Sequence, residues 1–328
     1  MTAPDPAASV VICTFNRLGL LKAAVTSCLE SATQRGTPFE IIISDNSPSG
    51  HARAYAEDLV AAGKPVRWVA ASPPNISIAR NTGLRTARAE LVAFLDDDLE
   101  VEPGWLDHLI DTLERSGADA AVGPVRPRFV EGTAPDWDPE GRFFTRVLPL
   151  PSGTPIAAGG QGRIKGFAIS TASSIWRSST CFTDPEPFDP AFGASGGEDL
   201  DAFLRLERRG RRFVWCAEAG VWEAIPAGRT DLGYQLMRAY SGGQVFTAAT
   251  LHNQAPPVSR KAGMLAIGAA QLGVGSLAVL ASALLRPLSG AAGRQRLVRH
   301  LLRTAGAAGK LTWWRKLPLY HVEKPPAA

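Results

Sequence analysis

The run Leu91-Val92-Ala93-Phe94-Leu95-Asp96-Asp97-Asp98 sets five consecutive apolar residues directly against three carboxylates. A short unbroken apolar stretch reads as a strand buried on both faces. The same texture recurs upstream at Val10-Val11-Ile12-Cys13 and Glu40-Ile41-Ile42-Ile43-Ser44, and Val66 to Ala70 reads as a further strand. Between these lie segments of helical period. Leu20, Leu21, Ala24, Val25, Cys28 and Leu29 recur at three-to-four spacing, and 51–62, Ser77 to Ala87 and Trp105 to Arg115 also read as helices. Strands alternating with helices predict an α/β domain with a doubly wound, mostly parallel sheet. Such sheets bind ligands beyond the carboxyl ends of their strands. The candidates there are Thr14-Phe15-Asn16-Arg17, Asp45-Asn46-Ser47 and Asp96-Asp97-Asp98.

Three adjacent carboxylates repel one another unless a cation or basic groups compensate. A solvated charge run or an acidic helix start also fits the triplet. Its position after a buried strand favours metal binding, because aspartate oxygens are hard ligands suited to Mg²⁺ or Mn²⁺. A second acidic pair, Glu198-Asp199, follows Ser195-Gly196-Gly197. Carboxylates in a first helical turn suit the helix dipole on their own. The two glycines add either a tight turn or room for a ligand to approach the backbone.

Further along, 126–165 reads as irregular connections, Gly166 to Ile175 as strand-like and Phe182 to Phe192 as loop. Glu198 to Arg209 reads as a helix, Arg212 to Cys216 as a strand and Thr230 to Ala249 as a helix. Among 328 residues, 45% are apolar and 20% charged, which excludes wholesale disorder. The 32 Gly and 25 Pro have no collagen period. A net charge of +4 is too weak to point to nucleic acid, and none is expected as a partner. Cys13, Cys28, Cys181 and Cys216 have neither zinc-site nor redox spacing. Met1 to Ser9 has no signal-peptide pattern, so the catalytic part is expected in a reducing cytoplasm.

Five segments in order make the reading specific: VVICTFNR (10–17), IIISDNSPSG (41–50), ISIARNTGLRTARAELVAFLDDDLEVEPGWL (76–106), FDPAFGASGGEDLDAFLRLERRG (188–210) and WCAEAGVWEAIPAGRT (215–230) with RAYSGGQ (238–244). Together they resemble a family-2 glycosyltransferase of the GT-A fold, similar to bacterial exopolysaccharide glucosyltransferases of the succinoglycan type. The resemblance covers roughly 8–250. It implies that Thr14 and Arg17 line the nucleotide base pocket and that Asp45 accepts a hydrogen bond from the base, usually uracil. Arg80 would approach base or ribose, and Asp96 the ribose, with Asp97 in the same nucleotide-binding set. Asp98, with Asp96, would hold Mn²⁺ or Mg²⁺ on the diphosphate. Asp199 would be the general base on the acceptor hydroxyl, with Glu198 beside it in the catalytic pair.

Elementary chemistry agrees. A metal neutralises the leaving diphosphate and a nearby carboxylate takes the acceptor's proton, so one displacement with inversion suffices. Two departures stand out. Many relatives carry His where this chain has Trp222-Glu223, and Glu223 either ligates the cation or pairs with an arginine. Gln235-Leu236-Met237-Arg238 matches part of an acceptor motif of processive synthases, but Ala239 replaces its Trp, so addition of one sugar is expected. Arg238 reads equally as an acceptor contact or an exposed helical arginine. The donor expected from the resemblance is UDP-glucose or a related hexose, and the acceptor a saccharide or lipid-linked oligosaccharide. A sugar nucleotidyltransferase would need a Gly-rich phosphate loop after strand one, and a dehydrogenase G-x-G-x-x-G; both are missing from the sequence. A catalytically inactive carbohydrate-binding scaffold would tolerate loss of the acidic motifs, which are intact.

The expected organisation is a disordered 1–8, a catalytic domain over 9–228, a helical acceptor-side linker over 229–258 and a membrane-associated helical tail over 259–328. Gly263 to Leu285 carries no charge and is followed by an Arg-rich segment with Trp313-Trp314. The expectation is attachment to the inner-membrane surface on the cytoplasmic face, without a crossing. The alternative is a soluble helical hairpin.

Overall fold

The structure, a computed structural model, describes residues 5–159, 169–252 and 258–318, without the side chains of 260 and 286–289. Its elements run β1 Ala8–Thr14, α1 Leu18–Ser31, β2 Phe39–Asp45, α2 Arg53–Ala61, β3 Val66–Ala70, α3 Ile76–Thr86, β4 Leu91–Asp96, β5 Leu99–Val101 and α4 Trp105–Ser116. Then come β6 Ala120–Val122, β7 Val125–Phe129, β8 Pro155–Ile156, β9 Ser173–Arg177, α5 Ser178–Cys181, α6 Glu198–Arg208, β10 Phe213–Trp215, β11 Val221–Ile225, α7 Ala227–Thr230, α8 Leu232–His252 and α9 Val258–Lys310. Two compact units result. One comprises Met1–Arg128, Thr145–Gly193 and Glu198–Ala224, the other Phe129–Phe144, Ala194–Gly197 and Ile225–Ala328.

The first unit is a mixed α/β domain. Its main sheet has the order β3-β2-β1-β4-β9-β6-β10-β8. Side chains alternate across it, as the strand period requires. Val10, Ile12, Ile41, Ile43, Ala93 and Leu95 pack with α1 and α4, while Val11, Cys13, Ile42, Val92 and Phe94 pack with Ala79 of α3 and Phe203 of α6. Helices therefore cover both faces, which is why β1, β2 and β4 carry unbroken apolar runs, whereas edge strand β3 (VRWVA) is mostly half-buried. The expected parallel arrangement holds for β1 with β2 and β4, for β2 with β3, and for β6 with β10. β9 runs antiparallel between β4 and β6. The strand-like reading of 166–175 falls partly outside the described residues, and the strand itself is Ser173–Arg177. A small second sheet, β5-β11-β7, was not expected. Its β7 occupies the start of the stretch read as irregular.

In the strand order the chain goes one way from β1 to β2 and β3, and the other way to β4. This is the topological switch point, where a crevice opens. Thr14 stands opposite Asp45, and Cys13 opposite Asp96, so all three candidate loops leave one edge of the sheet. α3 lies close against that sheet at Gly83, where an added Cβ would overlap Cγ1 of fully buried Val11. Ala ordinarily improves a helix over Gly by ~1 kcal/mol. A stiff β-branched neighbour cannot retreat, and overpacking costs about 1–3 kcal/mol. Gly83→Ala is therefore expected to lower stability in urea unfolding. A rise in the midpoint would show that the helix stands off from β1.

Candidate active site

Four loops and two helix starts build the site within the first unit. The loop after β2 is organised by Asp45, whose buried carboxylate accepts from Ser47 N (3.0 Å), Ser47 Oγ (2.6 Å), Ala52 N (2.9 Å) and Trp68 Nε1 (3.2 Å). Burial works against its charge, yet these donors hold its pKa below the ordinary value. His51 joins this loop to the one after β1. Its Nε2 accepts the Arg17 backbone N–H (3.2 Å), so the neutral ring carries its proton on Nδ1, which lies 3.1 Å from Asp45 Oδ1. His51 was missed in the sequence, where nothing local marks it.

Arg17, at the N-terminus of α1, spans the switch point. Its guanidinium pairs with Asp97 at 2.5 Å and with Asp98 at 3.2 Å. The triplet is thereby differentiated. The Asp97 side chain is fully buried, and burial pushes its pKa up to about 7 against the pull of Arg17. The Asp98 side chain is 7% exposed and the Asp96 side chain 39%. The Asp98 carbonyl accepts the Ala224 N–H at 2.9 Å, which pins the turn between β4 and β5 to β11. Thr14 is buried at the end of β1 beside this group.

Arg80, buried on α3, ties the two acidic motifs together. One nitrogen pairs with Glu198 and the other faces Asp96 Oδ1 at 3.4 Å. Its guanidinium also lies 5.7 Å from the Phe188 ring centroid. Burial opposes the arginine's charge, but Glu198 and Asp96 more than offset it and raise its pKa. Burial raises the pKa of Glu198, opposed by Arg80, and likewise that of Asp199. Asp199 is only partly buried, and its Oδ1 accepts the Leu200 N–H at 2.7 Å.

The placement of Glu198 opposite Arg80 depends on α3. Asn75 caps that helix, accepting from Ser77 N (2.9 Å), and its Nδ2 donates to Pro190 O (3.0 Å). Ser77 Oγ donates to Asp189 O (2.9 Å), and Asn81 Nδ2 to Phe188 O (2.7 Å), with Phe188 N returning a bond to Asn81 Oδ1 (3.0 Å). The polar face of α3 thus holds the segment leading to α6. Gly196 and Gly197 both adopt positive φ (78° and 91°), so the glycines before the pair form a turn.

Glu223, on β11, pairs with Arg146 at 2.9 Å. It stands opposite Leu99 in the register, one residue beyond Asp98. β11 thus carries Glu223 beside the end of the turn that holds Asp98. The expected carboxylates for a divalent cation are Asp98 and Asp96, with Glu223 paired to Arg146 close by. These hard oxygens already attract the Arg17 and Arg80 cations, so the site suits Mg²⁺ or Mn²⁺. All four cysteines are free and buried; burial pushes the Cys13 thiol to about 12, as expected of an inert core residue.

Comparison with known proteins identifies the family and the fold. The sequence model of the family described as "Glycosyl transferase family 2" matches residues 9–170. The chain is 31% identical over 238 residues to succinoglycan biosynthesis protein ExoM of Rhizobium meliloti, covering 71% of this chain and 72% of the relative. It is 25% identical over 243 residues to a glucosyl-dolichyl phosphate glucuronosyltransferase of Haloferax volcanii, covering 71% and 74%. The crystal structure of S. aureus TarS 1-349 in complex with UDP superposes with a TM-score of 0.51 at 14% identity, covering 91% of this chain and 90% of that one.

Proposed function

The chain belongs to glycosyltransferase family 2, and from that premise we propose that it moves one hexose from UDP to a hydroxyl of a lipid-linked saccharide, with inversion, at the cytoplasmic surface of a membrane. The observation that carries this reading is Arg80. It joins Asp96, on the donor side, to Glu198, whose neighbour Asp199 stands free of that ion pair and reaches solvent. UDP as the donor's nucleotide is supported by the resemblance and by the UDP held in the TarS structure. The lipid-linked acceptor is supported by the name of the archaeal relative.

In this reading Thr14 and Arg17 line the nucleotide crevice, and Asp45 shapes its wall through the 46–52 loop and meets the base at its edge. Asp96 and Asp98 would hold a divalent cation, which when bound neutralises the leaving diphosphate. Asp199 takes the proton of the acceptor hydroxyl as that oxygen attacks the anomeric carbon and the bond to the diphosphate breaks. Its raised pKa favours this step, because a base nearer neutrality accepts a proton more readily. No second nucleophile is required, and the two-carboxylate hydrolase arrangement plays no part.

The test is release of UDP from UDP-hexoses by the purified chain with Mn²⁺ and a short lipid-linked saccharide. Release should depend on acceptor and metal, and NMR of the product should show the inverted anomer. Retention of configuration, or turnover indifferent to chelation, would overturn the mechanism.

A further inference from the structure

Between Asp231 and Glu323 the sequence holds eleven Lys or Arg and no Asp or Glu. The remainder, with 24 basic against 31 acidic residues, is net negative. This positive stretch includes α9, which breaks at Gly290 (φ 53°, ψ −136°) into two arms. The arms run antiparallel. A Cβ on Gly268 would lie 2.9 Å from Leu311, one on Gly275 would lie 2.5 Å from Thr304, and Lys310 Nζ donates to Gln271 at 2.8 Å.

The return arm, 291–310, is seated on α8. Added Cβ atoms on Gly243 and Gly309 would overlap the backbone carbonyls of Gly306 and Tyr240. Tyr240 Oη meets Thr312 Oγ1 at 2.5 Å, and Gln244 Nε2 donates to Arg315 O at 2.7 Å. The first arm is therefore the outer layer, and almost none of it is buried. Lys261–Leu285 has a mean hydropathy of 1.9 over its most apolar window, and Val274, Leu277, Leu280 and Leu284 are exposed. Soluble proteins rarely leave so long an apolar face in water.

At 25 residues the outer arm would be about 37 Å long, enough to cross ~30 Å of hydrocarbon. The packing opposes a crossing. A crossing would put the return arm across the bilayer from α8, breaking the Gly243–Gly306 and Tyr240–Gly309 seating. Nor can the return arm re-enter hydrocarbon, since Arg294, Arg296, Arg299 and Arg303 lie within ten residues and each costs ~3 kcal/mol at mid-depth. We propose that α9 is an in-plane hairpin anchor. Its outer arm lies along one leaflet of an anionic bilayer, and Arg296, Arg299 and Arg303, all exposed, sit at the depth of the lipid phosphates. The exposed Trp314 beside Arg315 suits the same interface. The inference deepens the membrane-surface part of the proposed function.

The experiment is co-sedimentation of the full chain with vesicles of phosphatidylcholine alone or with 30 mol% phosphatidylglycerol. It needs neither donor nor acceptor, so its outcome is independent of whether transfer is observed. Anionic vesicles should bind, and neutral ones far less. The exposed triple variant Arg296→Gln/Arg299→Gln/Arg303→Gln, its fold checked by circular dichroism, should lose about 10²-fold in affinity. A fluorophore on a C-terminal extension should stay quenchable from outside the vesicles. Protection of that fluorophore would replace the anchor with a true span. Equal binding of wild type and triple variant would remove the arginines from the contact, and self-association without vesicle binding would assign the face to a second copy of this chain.

Discussion

Asp98→Ala is expected to abolish the Mn²⁺-dependent part of UDP binding while leaving the chain folded. The turn survives because the group that fixes it is the Asp98 carbonyl, which accepts from Ala224 N–H whatever the side chain. The lost carboxylate is a proposed direct ligand of the cation. Removing even an outer partner of a metal ligand costs about 10–100-fold in affinity, and a direct ligand at least as much. Calorimetry should therefore show a loss of ~10²-fold or more with Mn²⁺ and little change with UDP under chelation. Arg17→Ala makes the opposite prediction for the metal alone. Its guanidinium, 3.2 Å from Asp98, competes with a cation for that carboxylate, so Mn²⁺ binding without nucleotide should tighten. Unchanged metal-dependent affinity in Asp98→Ala would move the cation elsewhere.

The parts of this site that could be read in advance share a cause. Val10 to Cys13, Ile41 to Ile43 and Leu91 to Leu95 are covered on both faces, so burial itself writes an unbroken apolar run that ends where the chemistry begins. The Asp triplet and the Glu198-Asp199 pair are local in sequence, as are the two glycines that turn the chain before α6. What joins them is not local. Arg80 and Glu198 are 118 residues apart, Asn81 and Phe188 107 apart, and Arg146 and Glu223 77 apart. No periodicity announces such pairs. The three-residue strand β5 is likewise too short to carry an alternation, so the small sheet that pins the Asp98 carbonyl went unseen. In the tail, the uncharged run marked the outer arm. The reversal depends on a positive φ at Gly290, five residues past the last apolar residue of that run.

Asp199→Asn is expected to keep nucleotide-sugar binding and lose transfer by about 10² to 10⁴, the usual contribution of a general base. Asparagine retains the Oδ1 that accepts the Leu200 N–H, so the start of α6 should persist. Only proton acceptance is removed, and kcat should fall with KM little changed. The rising limb of the pH–rate profile should vanish with it. Glu198→Gln should behave differently. Glu198 is buried against Arg80, and neutralising it leaves that arginine, among the described residues, with Asp96 at 3.4 Å as its ion-pair partner. Breaking one side of a buried pair costs about 3–5 kcal/mol, so the expected signature is a lower melting temperature and weakened donor binding. The two neighbours thus separate by observable: kcat and pH profile for Asp199, stability and donor affinity for Glu198. A folded Glu198→Gln enzyme that binds UDP-hexose normally but is dead, beside an active Asp199→Asn, would make Glu198 the base and reduce Asp199 to the opening turn of its helix.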